Sequence, residues 1–296
     1  MEAIGLVADT LISQFKTAPI NMTLSLKSRI SFITCLIVPT LVFADEPSPY
    51  SPSFFLNPYQ VEWDSNIENI RTNYTINSPV LKNSATSINN NFFQKISIGL
   101  PNSFAVGISD LYVQTVVTNP LNTNAATQGF KNPVLSGAKL WTINDWMLLK
   151  VLGSVQPNLG VRAGVSTYNL GASAIFIGSS DWQGSLTVNE TTNDAGYGGA
   201  PSVTGLVSKT IGEYVINASV GVTRFPSILM TSGYAASSYL YSGNLELSRP
   251  IANQVWLGAN YGIGSNQYTY TQNFMKIPYN NRTLYNAFGV SLKVLF

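Results

Sequence analysis

The chain contains no histidine, and only 10% of its residues are charged. The absence of histidine excludes serine–histidine–aspartate triads, histidine general bases and histidine-containing zinc sites. No phosphate-binding loop and no facing pair of catalytic carboxylates is present either. No cofactor or metal site is therefore predicted, and the chain is not expected to be an enzyme. Soluble domains carry about 25% charged residues, so the low charge indicates a membrane-embedded or heavily buried chain.

Long apolar runs are also missing. After residue 44 the sequence has no stretch of about 18 apolar residues, which excludes a membrane-spanning helix there. The mean hydropathy is only +0.13 although 45% of the residues are apolar. Apolar residues diluted evenly by Ser, Thr, Asn and Gly are typical of a transmembrane β-barrel, in which every second side chain faces lipid.

The first 44 residues are predicted not to belong to the folded protein. Lys27 and Arg29 precede an apolar stretch at 30–41, which contains the single cysteine, Cys35. The stretch is followed by Ala44, a small residue suited to cleavage. This arrangement predicts a secretory signal peptide and Sec-type export, with a short membrane anchor as the alternative.

Cleavage after Ala44 divides the chain into three predicted parts. Residues 1–44 form the signal peptide. Translation could instead begin at Met22, which lies at a natural distance upstream of the apolar stretch, so residues 1–21 are a candidate over-extended start. Residues 45–60 form a Pro-rich periplasmic segment. Residues 61–296 form the barrel, in which no cysteine remains.

The last segment, 284–296, shows the strand pattern most clearly. One face carries Leu284, Phe288, Val290, Leu292, Val294 and Phe296. The other face carries Tyr285, Ala287, Gly289, Ser291 and Lys293. The same period of two recurs in 214–224, 238–248 and 254–264, and it predicts strands with one apolar and one polar face.

Extension of this pattern predicts an all-β fold, a transmembrane antiparallel up-and-down barrel of about twelve strands. The predicted strands are 61–76, 92–100, 104–118, 133–141, 146–156, 165–178, 181–189, 201–210, 214–224, 238–248, 254–264 and 284–296. Short and long connections alternate between them. Short periplasmic turns and long extracellular loops explain that alternation, whereas a soluble sandwich does not. The predicted long loops are 77–91, 119–132, 157–164, 190–200, 225–237 and 265–283.

Aromatic residues gather beside the predicted short turns. The set consists of Phe104, Trp141, Trp146, Trp182, Tyr214 and Trp256. Their common height predicts a girdle at the periplasmic membrane interface. The alternation places Trp141 and Trp256 on the lumenal side unless a β-bulge intervenes. The alternative is that these rings belong to a soluble β-core.

Five charged residues within strands are predicted to line the lumen. They are Lys95, Lys139, Lys150, Glu246 and Lys293. A charge on the lipid face near the midplane costs about 2–4 kcal/mol, which favours the inside for each. They either form internal ion pairs, Glu246 with one lysine, or give the pore a mild preference for anionic solutes through the excess of lysines.

A barrel of about twelve strands lies between side-chain-filled and open barrels in width, so its lumen should be narrow or blocked. Two segments are candidates for blocking it: the Pro-rich stretch 45–60, and the aromatic loop 265–283. By default each is expected to be a disordered tail or a surface loop.

Two resemblances add to this interpretation. The terminal strand, with Phe288, Val290, Leu292, Val294 and a final Phe296, resembles the C-terminal signature of Gram-negative outer-membrane proteins. That resemblance implies recognition by the barrel-assembly machinery. The segments 100–114 and 129–141 resemble strand–turn–strand segments of the family named for the MetA pathway of phenol degradation, a group of transporter-like barrels.

The first functional hypothesis is a passive channel for a small solute, with hydrophobic and aromatic solutes as the candidates. The second is a structural or adhesive surface barrel with a sealed lumen, and the third a secreted soluble β-protein. The expected partners are outer-membrane lipid, the barrel-assembly machinery and a small molecule. No nucleic acid is expected, because no basic stripe accompanies the net charge of +2.

Overall fold

A computed structural model describes residues 48–79, 82–118, 125–159, 165–178, 181–194, 199–230, 233–272 and 277–296. The predicted signal peptide, with its alternative start, lies outside the described residues. Within them the strands are β1 Val61–Asn77, β2 Lys82–Leu100, β3 Phe104–Thr118, β4 Ala125–Phe130, β5 Val134–Asn144, β6 Met147–Gln156, β7 Thr167–Ile177, β8 Trp182–Asn193, β9 Ala200–Ile211, β10 Tyr214–Phe225, β11 Ile228–Met230, β12 Gly233–Ala235, β13 Ser238–Ala252, β14 Val255–Gln272 and β15 Pro278–Leu295. No helix in this part of the chain is long and apolar enough to cross a membrane.

The strands form one antiparallel sheet that closes on itself. Successive wall strands pair with each other, and β1 pairs with β15 from Glu62 opposite Leu295 to Asn77 opposite Asn280. At the end of this seam the Val61 amide donates to the Phe296 carbonyl at 3.0 Å, and the Phe296 amide donates to the Val61 carbonyl at 2.8 Å. Pairing of the first wall strand with the last removes the two edges that an open sheet would expose to hydrocarbon.

The wall contains twelve strand positions, as predicted. Both β4 and β5 pair with β3, β4 along its upper half and β5 along its lower half, so together they fill one position. The two are separated by residues 131–133. The hairpin of β11 and β12 pairs with the far end of β14 and adds no wall position.

The exposed face of this sheet is apolar and the buried face is polar. On β13, for example, Leu245 and Leu247 are exposed, while Ser248 is buried. On β15 the predicted faces are confirmed: Phe288 and Val290 are exposed, and Ser291 is buried. A soluble protein would show the reverse, because it rarely exposes a large continuous apolar surface.

Strand length differs around the barrel. The four adjacent strands β14, β15, β1 and β2 have 17 to 19 residues, whereas β5 to β10 have 10 to 12. A tilted strand needs about 9–11 residues to cross the bilayer, so the four long strands extend beyond it. The prediction of long loops at 77–91 and 265–283 is therefore wrong for 82–91, 265–272 and 278–283. These residues continue the strands as polar sequences whose weak alternation concealed the pairing.

The turns at 101–103, 145–146, 212–213 and 253–254 lie at the end of the barrel where the chain enters and leaves it. At the turn between β2 and β3, Asn102 and Ser103 have φ values of 62° and 55°. Positive φ at adjacent positions gives the tight reversal that suits the twist of two paired strands. We call this end the periplasmic end, after the side on which short turns are predicted.

Candidate functional site

The inside of the barrel is lined mostly by small polar side chains. Buried serines occupy inward positions on many strands, among them Ser97 on β2, Ser173 on β7 and Ser208 on β9. Buried apolar side chains are few in the described residues; Leu148 on β6 and Ile175 on β7 are two of them. The lumen is thus a polar interior and not an apolar core.

Residues 48–56, which precede the first strand, lie inside this lumen, and residues 57–60 lie at its mouth. The Tyr50 hydroxyl is 2.7 Å from Ser291 Oγ on β15, and Tyr50 is buried. The Tyr50 carbonyl accepts a hydrogen bond of 2.8 Å from Asn217 Nδ2 on β10. Burial raises the pKa of Tyr50 above its ordinary value, so the hydroxyl stays protonated at neutral pH. The default expectation that this segment is a tail outside the barrel is wrong for the described residues.

Further contacts attach the same segment to other strands. The Ser53 amide donates to Gln183 Oε1 on β8 at 3.1 Å. Lys293 Nζ donates to the Pro49 carbonyl at 3.1 Å and lies 4.5 Å from the centre of the Tyr50 ring. Since β8, β10 and β15 lie on different sides of the barrel, the segment crosses the lumen.

At the periplasmic mouth the segment joins the sheet. The Tyr59 amide donates to the Gly99 carbonyl at 2.8 Å, and the Gly99 amide donates to the Gln60 carbonyl at 2.9 Å. A Cβ on Gly99 would lie 2.0 Å from the Asn57 carbonyl oxygen, so this position leaves no room for a side chain. Glycine here admits the close approach of two backbones.

A second glycine makes room for the ring of Tyr50. A Cβ on Gly258 of β14 would lie 2.8 Å and 2.9 Å from two Tyr50 ring carbons and 2.6 Å from Ser291 Oγ. The inner wall is therefore shaped to the segment. This fit was not predicted from the sequence. The available signals were a glycine at an inward position of β14 and an aromatic-rich segment before the first strand.

Four of the five charged candidates occupy inward positions. Lys150, Glu246 and Lys293 line a common cavity, and Lys95 is two residues from the buried Ser97 on the same face of β2. Lys293 Nζ lies 3.9 Å from Asp64 Oδ2. Glu246 accepts a hydrogen bond of 3.0 Å from Asn217 Nδ2, and no lysine among the described residues lies within ion-pair distance of it. The expected pairing of Glu246 with a lysine is thus wrong, and Asp64 takes that role.

Three inward carboxylates on β1 were missed by the sequence pattern. Glu62, Asp64 and Glu68 occupy alternate positions on the inner face of β1. Because β1 is rich in Asn and Thr on both faces, its sequence shows no clear alternation that would mark these carboxylates as inward. With Glu246 they offset the three inward lysines. The expected preference for anions rested on more lysines than carboxylates in the lumen. The described inward positions as a whole show no such excess of lysines.

Lys139 lies on the outer face, so its predicted lumenal position is wrong. It pairs across the strands with Phe104, whose ring is 4.2 Å from Lys139 Nζ, and Trp141 lies 5.6 Å away. The ammonium also donates to the Asn102 carbonyl in the periplasmic turn. Because the long side chain reaches the aqueous boundary, it escapes the cost of a charge in hydrocarbon.

Five of the six girdle candidates are exposed on the outer face near the periplasmic turns. They are Phe104, Trp141, Trp146, Trp182 and Tyr214. Trp141 is outward because β5 has the opposite register to the one that its sequence pattern suggested. Trp256 is the exception: it shares the inward side of β14 with Gly258 and pairs with Lys293.

The residues of the proposed assembly signal form the outer face and end of β15. Phe288 and Val290 are exposed, and Leu292 and Val294 continue the same face. Phe296 follows the strand and closes the seam with Val61.

A cavity of about 250 Å³ lies between the segment and one side of the wall. Residues 49–52 form its inner side, and strands β6 to β10 form most of its outer side. The second blocking candidate, 265–283, does not enter the lumen in its described part, because its residues pair between β14 and β15.

Comparison with solved structures identifies the architecture. The COG4313 outer membrane channel from Pseudomonas putida F1 superposes with a TM-score of 0.58 at 10% identity, over 86% of this chain and 100% of that chain. The fold is that of an outer-membrane barrel. This fold and the structure that shares it point to the bacterial outer membrane.

Two further structures match less closely. A FadL homologue from Pseudomonas aeruginosa gives a TM-score of 0.43 at 8% identity, over 80% of this chain and 90% of that chain. The KdgM porin with oligogalacturonate gives 0.47 at 10% identity, over 77% and 98%. No family model matches the sequence. No curated protein matches it either. The two sequence resemblances therefore stay predictions.

Proposed function

We propose that this protein is a passive outer-membrane channel for a small solute, and that residues 48–60 control the width of its lumen. The observation that carries the proposal is the crossing of a polar lumen by a segment held through separate hydrogen bonds, such as Tyr50 to Ser291. A hydrogen bond of this kind contributes about 0.5–1.5 kcal/mol, so thermal motion can break single contacts and displace the segment from the lumen part of the time.

The likeness to a barrel described as an outer membrane channel supports this function. The resemblance to transporter-like barrels favours a hydrophobic or aromatic solute. Outer-membrane lipid would contact the apolar outer face, and the barrel-assembly machinery would act on the terminal strand after Sec-type export.

Conductance in planar bilayers and solute uptake into liposomes test the proposal. The chain beginning at Asp45 should conduct weakly, and a variant lacking residues 45–56 should conduct several times more. That variant keeps the backbone contacts of Tyr59 and Gln60 with Gly99. If neither form conducts or admits solutes, the protein is not a channel.

One observation favours the alternative, a surface barrel with a sealed lumen. The long strands β14, β15, β1 and β2 and the β11–β12 hairpin raise one side of the wall beyond the membrane. A surface of this kind suits contact with another cell or a phage. Removal of the hairpin would then abolish binding to that surface and leave permeability unchanged.

A further inference from the structure

One lysine in the cavity differs from the other two charged residues that line it. Lys293 faces Asp64 and the Pro49 carbonyl, and Glu246 accepts from Asn217. Lys150 has neither a carboxylate within 4 Å nor a hydrogen-bond acceptor among the described residues, and its recorded neighbour is the Phe55 ring at 5.7 Å. Lys150 is half-buried, and an ammonium shielded from water is costly to leave without an anion.

Other charges near Lys150 do not remove this need. Lys95 and Lys293 are close enough to repel its ammonium, and Glu62 attracts it more weakly. Lys150 therefore lacks a compensating negative charge, which a small anion entering the cavity would supply.

A hydroxyl group stands beside the free ammonium. Ser173 on β7 is the cross-strand partner of Lys150 on β6, and Thr187 on β8 is the partner of Ser173. Thr187 Oγ1 donates to Ser173 Oγ at 2.9 Å. Because Ser173 accepts that bond, its own proton is directed to another acceptor. Lys150 and Ser173 are cross-strand partners that line the same cavity, so together they offer it two donors, which is what the two oxygens of a carboxylate require.

The rest of the cavity wall near these donors is aliphatic. Leu152 follows Lys150 on the same face of β6, and Ile175 and Leu206 line the cavity from β7 and β9. A cavity of about 150 Å³ holds a benzene molecule, so 250 Å³ accommodates one ring with a carboxylate or a short alkyl chain.

We propose that this cavity binds a small organic acid, with its carboxylate on Lys150 and Ser173 and its apolar body against Leu152, Ile175 and Leu206. The inference rests on the proposed channel function, because it names the class of solute that binds in the lumen during passage. It goes beyond that function because it assigns a binding site with defined chemistry.

Calorimetric titration of the detergent-solubilised protein with benzoate, benzyl alcohol and benzylamine tests this site. Benzoate should bind more tightly than the neutral alcohol, and the amine should bind most weakly. Lys150→Met should weaken benzoate binding about tenfold or more, the loss expected for a charged hydrogen bond, and leave benzyl alcohol binding unchanged. Lys150→Arg should retain most of the affinity for benzoate.

Lys139→Met is the matched control, because Lys139 lies on the outer face and does not line the cavity. It should leave benzoate binding close to wild type, and circular dichroism should show the same strand content in every variant. Equal benzoate binding by wild type and Lys150→Met, tighter binding of the amine, or no benzoate binding by wild type would each overturn the proposal. Binding in detergent does not depend on conductance, so a protein that conducts without binding benzoate loses only this inference.

Discussion

The hydroxyl of Tyr50 lies 2.7 Å from the hydroxyl of Ser291, although 241 positions separate the two residues in the chain. The contact joins the segment before the first strand to the inner face of the last strand. It also fixes the segment beside the seam where the barrel closes. Loss of this contact is the mildest change that should loosen the segment.

Tyr50→Phe removes the hydroxyl and keeps the ring beside Lys293. The loss of about 0.5–1.5 kcal/mol should raise the population of displaced segment about 2- to 12-fold. Single-channel recording should show longer or more frequent high-conductance events. Tyr59→Phe is the control, because the Tyr59 side chain is 73% exposed at the mouth. Equal behaviour of both variants and wild type would mean that the segment does not limit conductance.

Gly258→Ala tests the fit of the Tyr50 ring against β14. The new methyl group would lie within 3 Å of the ring and of Ser291 Oγ, so the segment must shift. Chymotrypsin should then cleave at 50–55 faster than in wild type. Gly262→Ala on the same face of β14 is the control, since its Cβ would meet no atom closer than 3.6 Å. Equal cleavage of the two variants would show that the glycine is not needed for the segment.

Lys139 and Lys95 provide a test of which lysine faces the lumen. Lys95→Glu should shift the reversal potential towards cation selectivity, because it reverses a charge beside the permeation path. Lys139→Glu should leave selectivity unchanged, since Lys139 lies on the outer face over the Phe104 ring. Reversal potentials in a salt gradient measure both. A shift caused by Lys139→Glu alone would place that residue in the lumen.

Two apolar residues on the outer face of β13 test where the hydrocarbon lies. Leu247 and Ile251 are similarly exposed, at 46% and 49%, but Ile251 is next to the periplasmic turn. Leu247→Lys should reduce the free energy of unfolding by about 2–4 kcal/mol, and Ile251→Lys by about 0–1 kcal/mol. Denaturant titration in lipid vesicles measures the difference. Equal, small effects would show that lipid does not bathe this face.

Phe296→Ala tests the proposed assembly signal. The substitution keeps the two backbone bonds between residues 296 and 61, so the closed seam is preserved. If the barrel-assembly machinery recognises the terminal ring, the amount of folded protein in the outer membrane should fall severalfold, as measured by immunoblotting of membrane fractions. Refolding of the same variant in detergent should remain near wild type. Normal levels in the membrane would mean that the ring is not part of a signal.

The barrel class, the number of about twelve wall strands and the faces of strands such as β13 and β15 could be predicted from the sequence. These features follow from local chemistry, because side chains alternate along any strand and lipid selects apolar groups for one face. Tertiary structure alone decided the register of β5, where neither face is clearly apolar and Lys139 turns outward beside Phe104. It also decided the extension of β2 and β14, whose polar ends pair without an apolar pattern.

The lumen was the least predictable part from the sequence. Tyr50 meets Ser291 and Gly258 only after the chain has closed into a barrel, so no local pattern records the contact. The same holds for the pairing of Lys293 with Asp64 and for the isolation of Lys150, which depend on strands far apart in the chain. Sequence alternation states which side of a strand faces inward, whereas closure of the barrel decides which inward side chains meet.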